Sequence, residues 1–213
     1  MKIIDYLLFR LKAKDEYSIH SPFLFDLYTN TLKNRNSFSF ISGLSDVKFL
    51  VCSKKKKSIT NFPFYTSFPD RYEKIIYRLL KKFRFDSLVQ VSFKGETLIY
   101  TLYLKAKTSN YFSKMKESKG LSSILEITPT LGMVFFDKNC PSDKINSITE
   151  NLFAHISNDS IFIFEKPHHS KENYFLWSSF ASFKEITLSL DLYFVGISFF
   201  RNALLKQSFE LKV

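Results

Sequence analysis

The chain has 213 residues, 45% of them hydrophobic and including 25 Phe and 11 Tyr, enough for a sizeable core in one domain or in a domain with an extension. Five Gly and six Pro exclude a loop-dominated or disordered class, and no apolar run approaches the ~18 residues that mark a spanning helix. An excess of 31 Lys+Arg over 20 Asp+Glu gives a net charge of +11, which favours anionic partners such as nucleic acid or a membrane surface without choosing between them.

In chain order, residues 2–13 place Ile3, Ile4, Leu7, Leu8 and Leu11 on one stripe of a helix. Asp5 and Arg10 interrupt the apolar run and no small-residue cleavage site follows, so the segment is not read as a signal peptide and a cytoplasmic location is expected. Ser21 followed by Pro22 is an N-cap and first-turn pair, predicting a helix through Phe25, Leu27, Tyr28 and Leu32. Residues 34–69 are irregular and contain Lys54, Lys55, Lys56 and Lys57, either a solvated loop or a phosphate-binding patch. Cys52 and Cys140 are too far apart to suggest a metal spacing.

From residue 70 an α/β rhythm begins. Tyr72, Ile75, Ile76, Leu79 and Leu80 predict a helix; Ser87–Ser92 a strand; Phe93–Glu96 a turn into a helix carrying Leu98 to Leu104. A short strand is expected at Asn110–Ser113, a firm one at Met133–Asp137, and a helix from Ser142 to His155. After the turn signal Asn158-Asp159 comes the apolar run Ser160–Phe164, which reads as a parallel strand buried on both faces. A helix from Ser170, strands at Glu185–Leu190 and Val195–Phe200, and an alternating edge strand at Ser208–Val213 complete the pattern. Strand–helix alternation followed by consecutive strands predicts a mostly parallel sheet with an antiparallel end. The expected organisation is a helical extension and basic loop over residues 1–69 and a Rossmann-like domain over residues 70–213.

In such sheets ligands bind beyond the carboxyl ends of the strands. Glu165, Lys166, Pro167, His168 and His169 follow one strand directly, and Asp137 ends another. His168 suits a general base toward a hydroxyl, or else orders the start of the helix at Ser170. Asp137 suits either a ligand contact or a turn cap.

Four groups of residues carry a resemblance. They are His20-Ser21-Pro22-Phe23-Leu24-Phe25 near the N-terminus, Phe136-Asp137-Lys138-Asn139, the run from Asn158 to Glu172, and Leu190-Asp191-Leu192-Tyr193-Phe194-Val195-Gly196-Ile197-Ser198-Phe199-Phe200-Arg201 with Gln207-Ser208-Phe209. In order and wording these resemble a bacterial family of S-adenosylmethionine (SAM)-dependent, O-methyltransferase-like proteins with an N-terminal HSPF motif. The resemblance implies a class I methyltransferase fold, SAM as cofactor, and methyl transfer to an oxygen nucleophile. It makes His168 and Glu165 the candidate catalytic residues. Gln90, Ser92, Gly95 and Asp137 become the candidate cofactor contacts, and His20 with Ser21 a lid or simply the helix cap.

The departures from that family point to an eroded cofactor site. Gln90 stands for an acidic residue, Ser92 for a glycine, and Phe93 brings bulk to the turn, leaving Gly95. The interval 105–132 is short, and Ile124-Leu125-Glu126 is its sole candidate for a strand ending in an acid. An Asp-Asp pair in the family is Glu165-Lys166 here, a cation where a metal wants an anion, so no metal site is expected. The expected function is therefore a SAM-dependent methyltransferase relative of weak or absent activity. The alternative is a non-catalytic binding protein on the same scaffold, docking an anionic partner through Lys54–Lys57. A third option pairs the edge near Val213 with another chain, and whether another chain completes the shortened 105–132 segment is left open by the sequence.

Overall fold

Apolar strands buried on both faces need neighbours on both edges. Among the described residues they find them in one seven-stranded sheet: β1 (Ser87–Val91), β2 (Tyr111–Met115), β3 (Leu131–Phe136), β4 (Ile156–Glu165), β5 (Leu188–Asp191), β6 (Val195–Phe199) and β7 (Gln207–Glu210), in spatial order β2-β1-β3-β4-β6-β5-β7. The first four positions are parallel. β1 lies between β2 and β3, so the winding reverses there and sets a topological switch point. β6 inserts antiparallel between β4 and β5, while β7 adds to β5 in parallel at the edge. This is the Rossmann-like, mostly parallel sheet that the strand–helix alternation predicts, with β6 as its antiparallel strand where antiparallel C-terminal strands are expected.

The computed structural model describes residues 3–33, 71–83, 85, 87–91, 111–115, 122, 125–126, 129–140 and 142–213. The Lys54–Lys57 run, Cys52, Ser92, Phe93, Gly95 and the helix expected at 98–104 lie outside them. Two units partition the chain: residues 1–20, 85–95 and 109–213 form one, residues 21–84 and 96–108 the other.

In the first unit the helices are α1 (Ile3–Lys12), α4 (Ser142–Phe153) and α5 (Lys171–Ala181). The sheet's core is aromatic. Phe136 stacks on Phe164 at 4.5 Å and 13°, and Phe180 of α5 packs on Phe162 and Phe164 at 5.9 and 4.5 Å. Ile145, Ile148 and Leu152 of α4 join the same cluster. Each fully buried Phe, Leu or Ile contributes roughly 1.5–3 kcal/mol. Gly196 of β6 has no side chain because Trp177 of α5 lies flat against it: a Cβ there would stand 2.7 Å from two ring carbons. In the second unit are α2 (Pro22–Leu27), a π turn over Tyr28–Leu32, and α3 (Arg71–Phe83). Ser21 caps α2 by accepting the Leu24 N–H at 3.4 Å, as its position before Pro22 predicts. Arg78 donates to the Thr31 and Leu32 carbonyls at 3.3 and 3.1 Å, closing the end of that turn.

Three local expectations are corrected. β4 starts at Ile156, ahead of Asn158-Asp159, and the turn signal becomes a bulge: Leu131 pairs with Ile156 but Met133 with Ile161. Ser160 holds this bulge, its hydroxyl donating to the Leu131 carbonyl and accepting the Ser157 N–H at 2.7 Å. Leu125-Glu126 is helical, so it is not the strand that Ile124-Leu125-Glu126 offered. The last strand is parallel to its neighbour, not part of an antiparallel end, and the chain beyond it is tied to the N-terminal segment. Lys14 donates its N–H to the Glu210 carbonyl at 2.8 Å and accepts the Lys212 N–H at 2.9 Å.

Candidate functional site

Parallel β3, β4 and β5 end on the same edge of the sheet, so the loops after them converge. Those loops are residues 137–140, 165–170 and 192–194. The third is a tight reversal in which the Phe194 N–H donates to the Leu192 carbonyl at 2.9 Å, forcing Tyr193 to φ 69°. A bulky residue there is strained by roughly 1–3 kcal/mol and persists because its surroundings hold it. Asp191 Oδ1 accepts the Tyr193 N–H at 2.8 Å. Lys166 is also left-handed, at φ 48°, and its N–H donates to the Phe194 carbonyl at 2.9 Å. Two strained turns thus brace each other.

His168 sits in the brace. Its Nε2 lies 2.8 Å from Asp191 Oδ2, and its ring stacks on Tyr193 at 4.6 Å and 8°. Tyr174 and Phe9 approach the same ring at 4.9 and 5.3 Å. The side chains of His168 and Asp191 are 18% and 8% exposed, so the imidazole is largely but not wholly buried. A carboxylate on Nε2 fixes the proton of the neutral ring there and leaves Nδ1 as the acceptor. No described residue bonds Nδ1. The arrangement can take a proton from, or accept a hydrogen bond from, a hydroxyl. Burial first, then the charges of Asp5, Tyr6 and Asp191, hold the Tyr193 phenol above its ordinary range.

The other predicted residues fall in two groups. Asp137 and Glu165 are brought together at the ends of β3 and β4, each 6% exposed. Asp137 Oδ1 accepts the Asn139 N–H at 2.6 Å, the turn-capping role open to it from the sequence. Glu165 Oε2 accepts the Lys138 N–H at 3.2 Å, with Lys138 Nζ 4.0 Å from Oε1. Burial pushes the Glu165 carboxyl above the usual carboxylate range, against the pull of the Lys138 hydrogen bond and the Lys138 and Lys166 charges. Asn173 of α5 donates to the Lys138 carbonyl at 2.8 Å, and Ser170 caps α5 by accepting the Asn173 N–H at 3.1 Å. Gln90 is 2% exposed inside β1, between Lys114 of β2 and Phe135 of β3 in register. Ser92 and Gly95 lie outside the described residues. Exposed His20 ends one unit and Ser21 begins the other, where it serves as the helix cap.

SAM carries positive charge at sulfur and at its ammonium, so its seat needs carboxylates open to it. The described residues do not supply them. Both strand-end carboxylates are buried against loop N–H groups, and Lys138 and Lys166 add cations beside them. His169, next in the loop, registers that field: burial first, then Lys138 and Lys166, hold it below its ordinary value. Among the described residues, neither strand-end carboxylate is turned to a cationic ligand. Among the described residues no group of three or more His, Cys, Asp or Glu could hold a metal ion, and no helix is long and apolar enough to cross a membrane.

Sequence reasoning pointed to His168 and missed Asp191 and Tyr193. The available signal was an acid closing the strand Glu185–Leu190 one residue before a reversal, a place where a carboxylate commonly organises a turn.

No family model and no curated protein matches the chain. Solved structures similar to it include the MycE methyltransferase from the mycinamycin biosynthetic pathway in complex with Mg and SAH, at 10% identity and TM-score 0.45 over 80% of this chain and 51% of that one. A second crystal form gives 11% identity and TM-score 0.48, over 75% and 53%. The O-methyltransferase from Bacillus cereus in complex with SAH gives 8% identity and TM-score 0.44, over 82% and 96%. The chain thus spans about half the length of MycE. These likenesses are of outline; the fold rests on the strand order, and by that order the chain has a Rossmann-like, mostly parallel sheet.

Proposed function

We propose that this chain is a cytoplasmic relative of SAM-dependent O-methyltransferases in which the methyl-donor side has eroded while a hydroxyl-binding side remains. The observation that carries the reading is the contrast between two strand ends. After β3 and β4, Asp137 and Glu165 are buried against loop N–H groups with Lys138 beside them. After β5, Asp191 holds His168 Nε2, and no described residue bonds the partly exposed ring's Nδ1. Methyl transfer to an oxygen nucleophile, which the sequence resemblance implies, is expected to be weak or absent. The retained chemistry is proton or hydrogen-bond acceptance at His168 Nδ1 from a small hydroxyl-bearing molecule, with Glu165 ordering the loop after β3.

Isothermal titration with SAM and with S-adenosylhomocysteine tests the donor side. No saturable heat into the millimolar range is expected, and micromolar binding of either would overturn the erosion argument. Docking of an anionic partner through Lys54–Lys57 stays the second reading, favoured by the +11 charge. It predicts salt-sensitive retention on heparin.

A further inference from the structure

Helix α1 is mounted with its apolar stripe outward. Phe9 and Ala13 are 8% and 3% exposed, and Tyr6 and Phe9 pack on Tyr193 at 4.9 and 5.2 Å. The stripe read from the sequence is not what anchors the helix. Ile3, Ile4, Leu7, Leu8 and Leu11 are 75%, 66%, 53%, 52% and 80% exposed. At about 100° per residue, these five fill one arc directly opposite Phe9. Arg10 borders that arc on one side and Lys12 on the other, both exposed, with Asp5 beside Lys12 as the helix's single acid. A lone exposed Leu needs no explanation, but five on one contiguous face do.

The mounting is tied at its C-terminal end as well. The chain leaving α1 is hydrogen-bonded to the strand region at Glu210–Lys212 through Lys14, and exposed Tyr17, at 86%, follows. The helix is too short to span a bilayer and lies along the surface of its unit, with an apolar arc between two cations. That is the arrangement of a helix that sits in a membrane interface, acyl chains meeting the arc and anionic headgroups meeting the rim. The net charge of +11 adds attraction to an anionic surface and opposes close approach of a second copy of the chain.

We propose that α1 is an interfacial docking element that seats this protein on an anionic lipid surface through Ile3, Ile4, Leu7, Leu8 and Leu11, with Arg10 and Lys12 on the headgroups. The surface is the face of α1 opposite Phe9, and its test does not depend on what His168 binds.

The experiment is co-sedimentation of the full chain with extruded vesicles of phosphatidylcholine, with and without phosphatidylglycerol. Binding to the anionic vesicles is expected to be about tenfold or more tighter than to the neutral ones, and weaker at high salt. L7S/L8S, altering only exposed side chains, is expected to lose about tenfold while melting like the parent, and R10Q/K12Q to lose the anionic preference. Equal binding to both vesicle types, or an L7S/L8S variant that sediments as the parent does, overturns the proposal. So does a chain that ignores vesicles but is a dimer by light scattering, made monomeric by L7S/L8S; the face would then belong to a second copy.

Discussion

Replacing Gly196 by alanine tests whether the sheet and α5 are packed as described. A Cβ at Gly196 would lie 2.7 Å from Trp177 Cε3 and Cζ3 and 2.8 Å from Cδ2, about 0.7 Å short of the 3.4 Å where ordinary contact begins. The indole has little room to yield. Trp177 is 4% exposed and packs on Phe164 at 5.4 Å, which in turn stacks on Phe136. Overpacking of a rigid core costs about 1–3 kcal/mol, and the upper part of that range applies to an indole wedged against a strand. Alanine recovers about 0.5–1 kcal/mol of backbone entropy relative to glycine. The net loss is then about 2 kcal/mol, or roughly 4–8 °C in Tm for a chain of this size. Urea unfolding followed by fluorescence reads the site directly, because Trp177 is the single tryptophan. The double variant G196A/W177L, followed by circular dichroism, should recover at least about 1 kcal/mol relative to the sum of the single losses, since a smaller side chain makes room. A G196A protein within about 0.5 kcal/mol of the parent, or strictly additive losses in the double variant, would refute the packing argument.

Asp191→Ala removes the acceptor of two short hydrogen bonds, from His168 Nε2 and from the strained Tyr193 N–H, and should destabilise the chain by about 2–4 kcal/mol in denaturant melts. A double-mutant cycle with His168→Gln should return a coupling of about 1–2 kcal/mol, and a value near zero would mean that the pair does not act as a unit. Glu165→Gln addresses the raised carboxyl. A folded-state pKa above the unfolded one means that the native chain binds the proton more tightly, so this group's contribution is largest in acid and declines as pH rises from the ordinary carboxylate range through the folded value. The amide keeps an acceptor for the Lys138 N–H without that decline. Urea melts from about pH 4.5 to 7.5 should therefore show the variant gaining on the parent as pH increases; a constant difference would contradict the burial argument.

The parallel part of the fold was legible because it is written in runs of one character. Ser87–Val91 and Leu131–Phe136 are nearly unbroken apolar segments, as strands covered on both faces must be. The bulge in β4 was not. Asn158-Asp159 carries the same turn chemistry whether the chain reverses or merely swells, and what decides is the Ser160 hydroxyl on the Leu131 carbonyl, a contact between different strands. The orientation of α1 was hidden for a related reason. An apolar stripe announces a helix with one oily face, but which face docks depends on what waits for it, here Tyr193 and Phe194 gripping Tyr6 and Phe9. At the site, His168 stood out by position in its loop. Asp191, 23 residues on, became its partner only when β6 was threaded between β4 and β5.

That threading, with Phe9 packed on both His168 and Tyr193, sets an order of events during synthesis. The ring's companions come from residue 9, from residues 174 and 191–193, and, through the Lys14 bonds, from a segment held by residues 210–212. A ribosome that has delivered everything up to α5 has made the histidine and two aromatic neighbours, Phe9 and Tyr174, but neither its carboxylate nor the clasp for α1. The imidazole's surroundings are therefore completed only with the final strands, and a nascent chain carries an unfinished site until then.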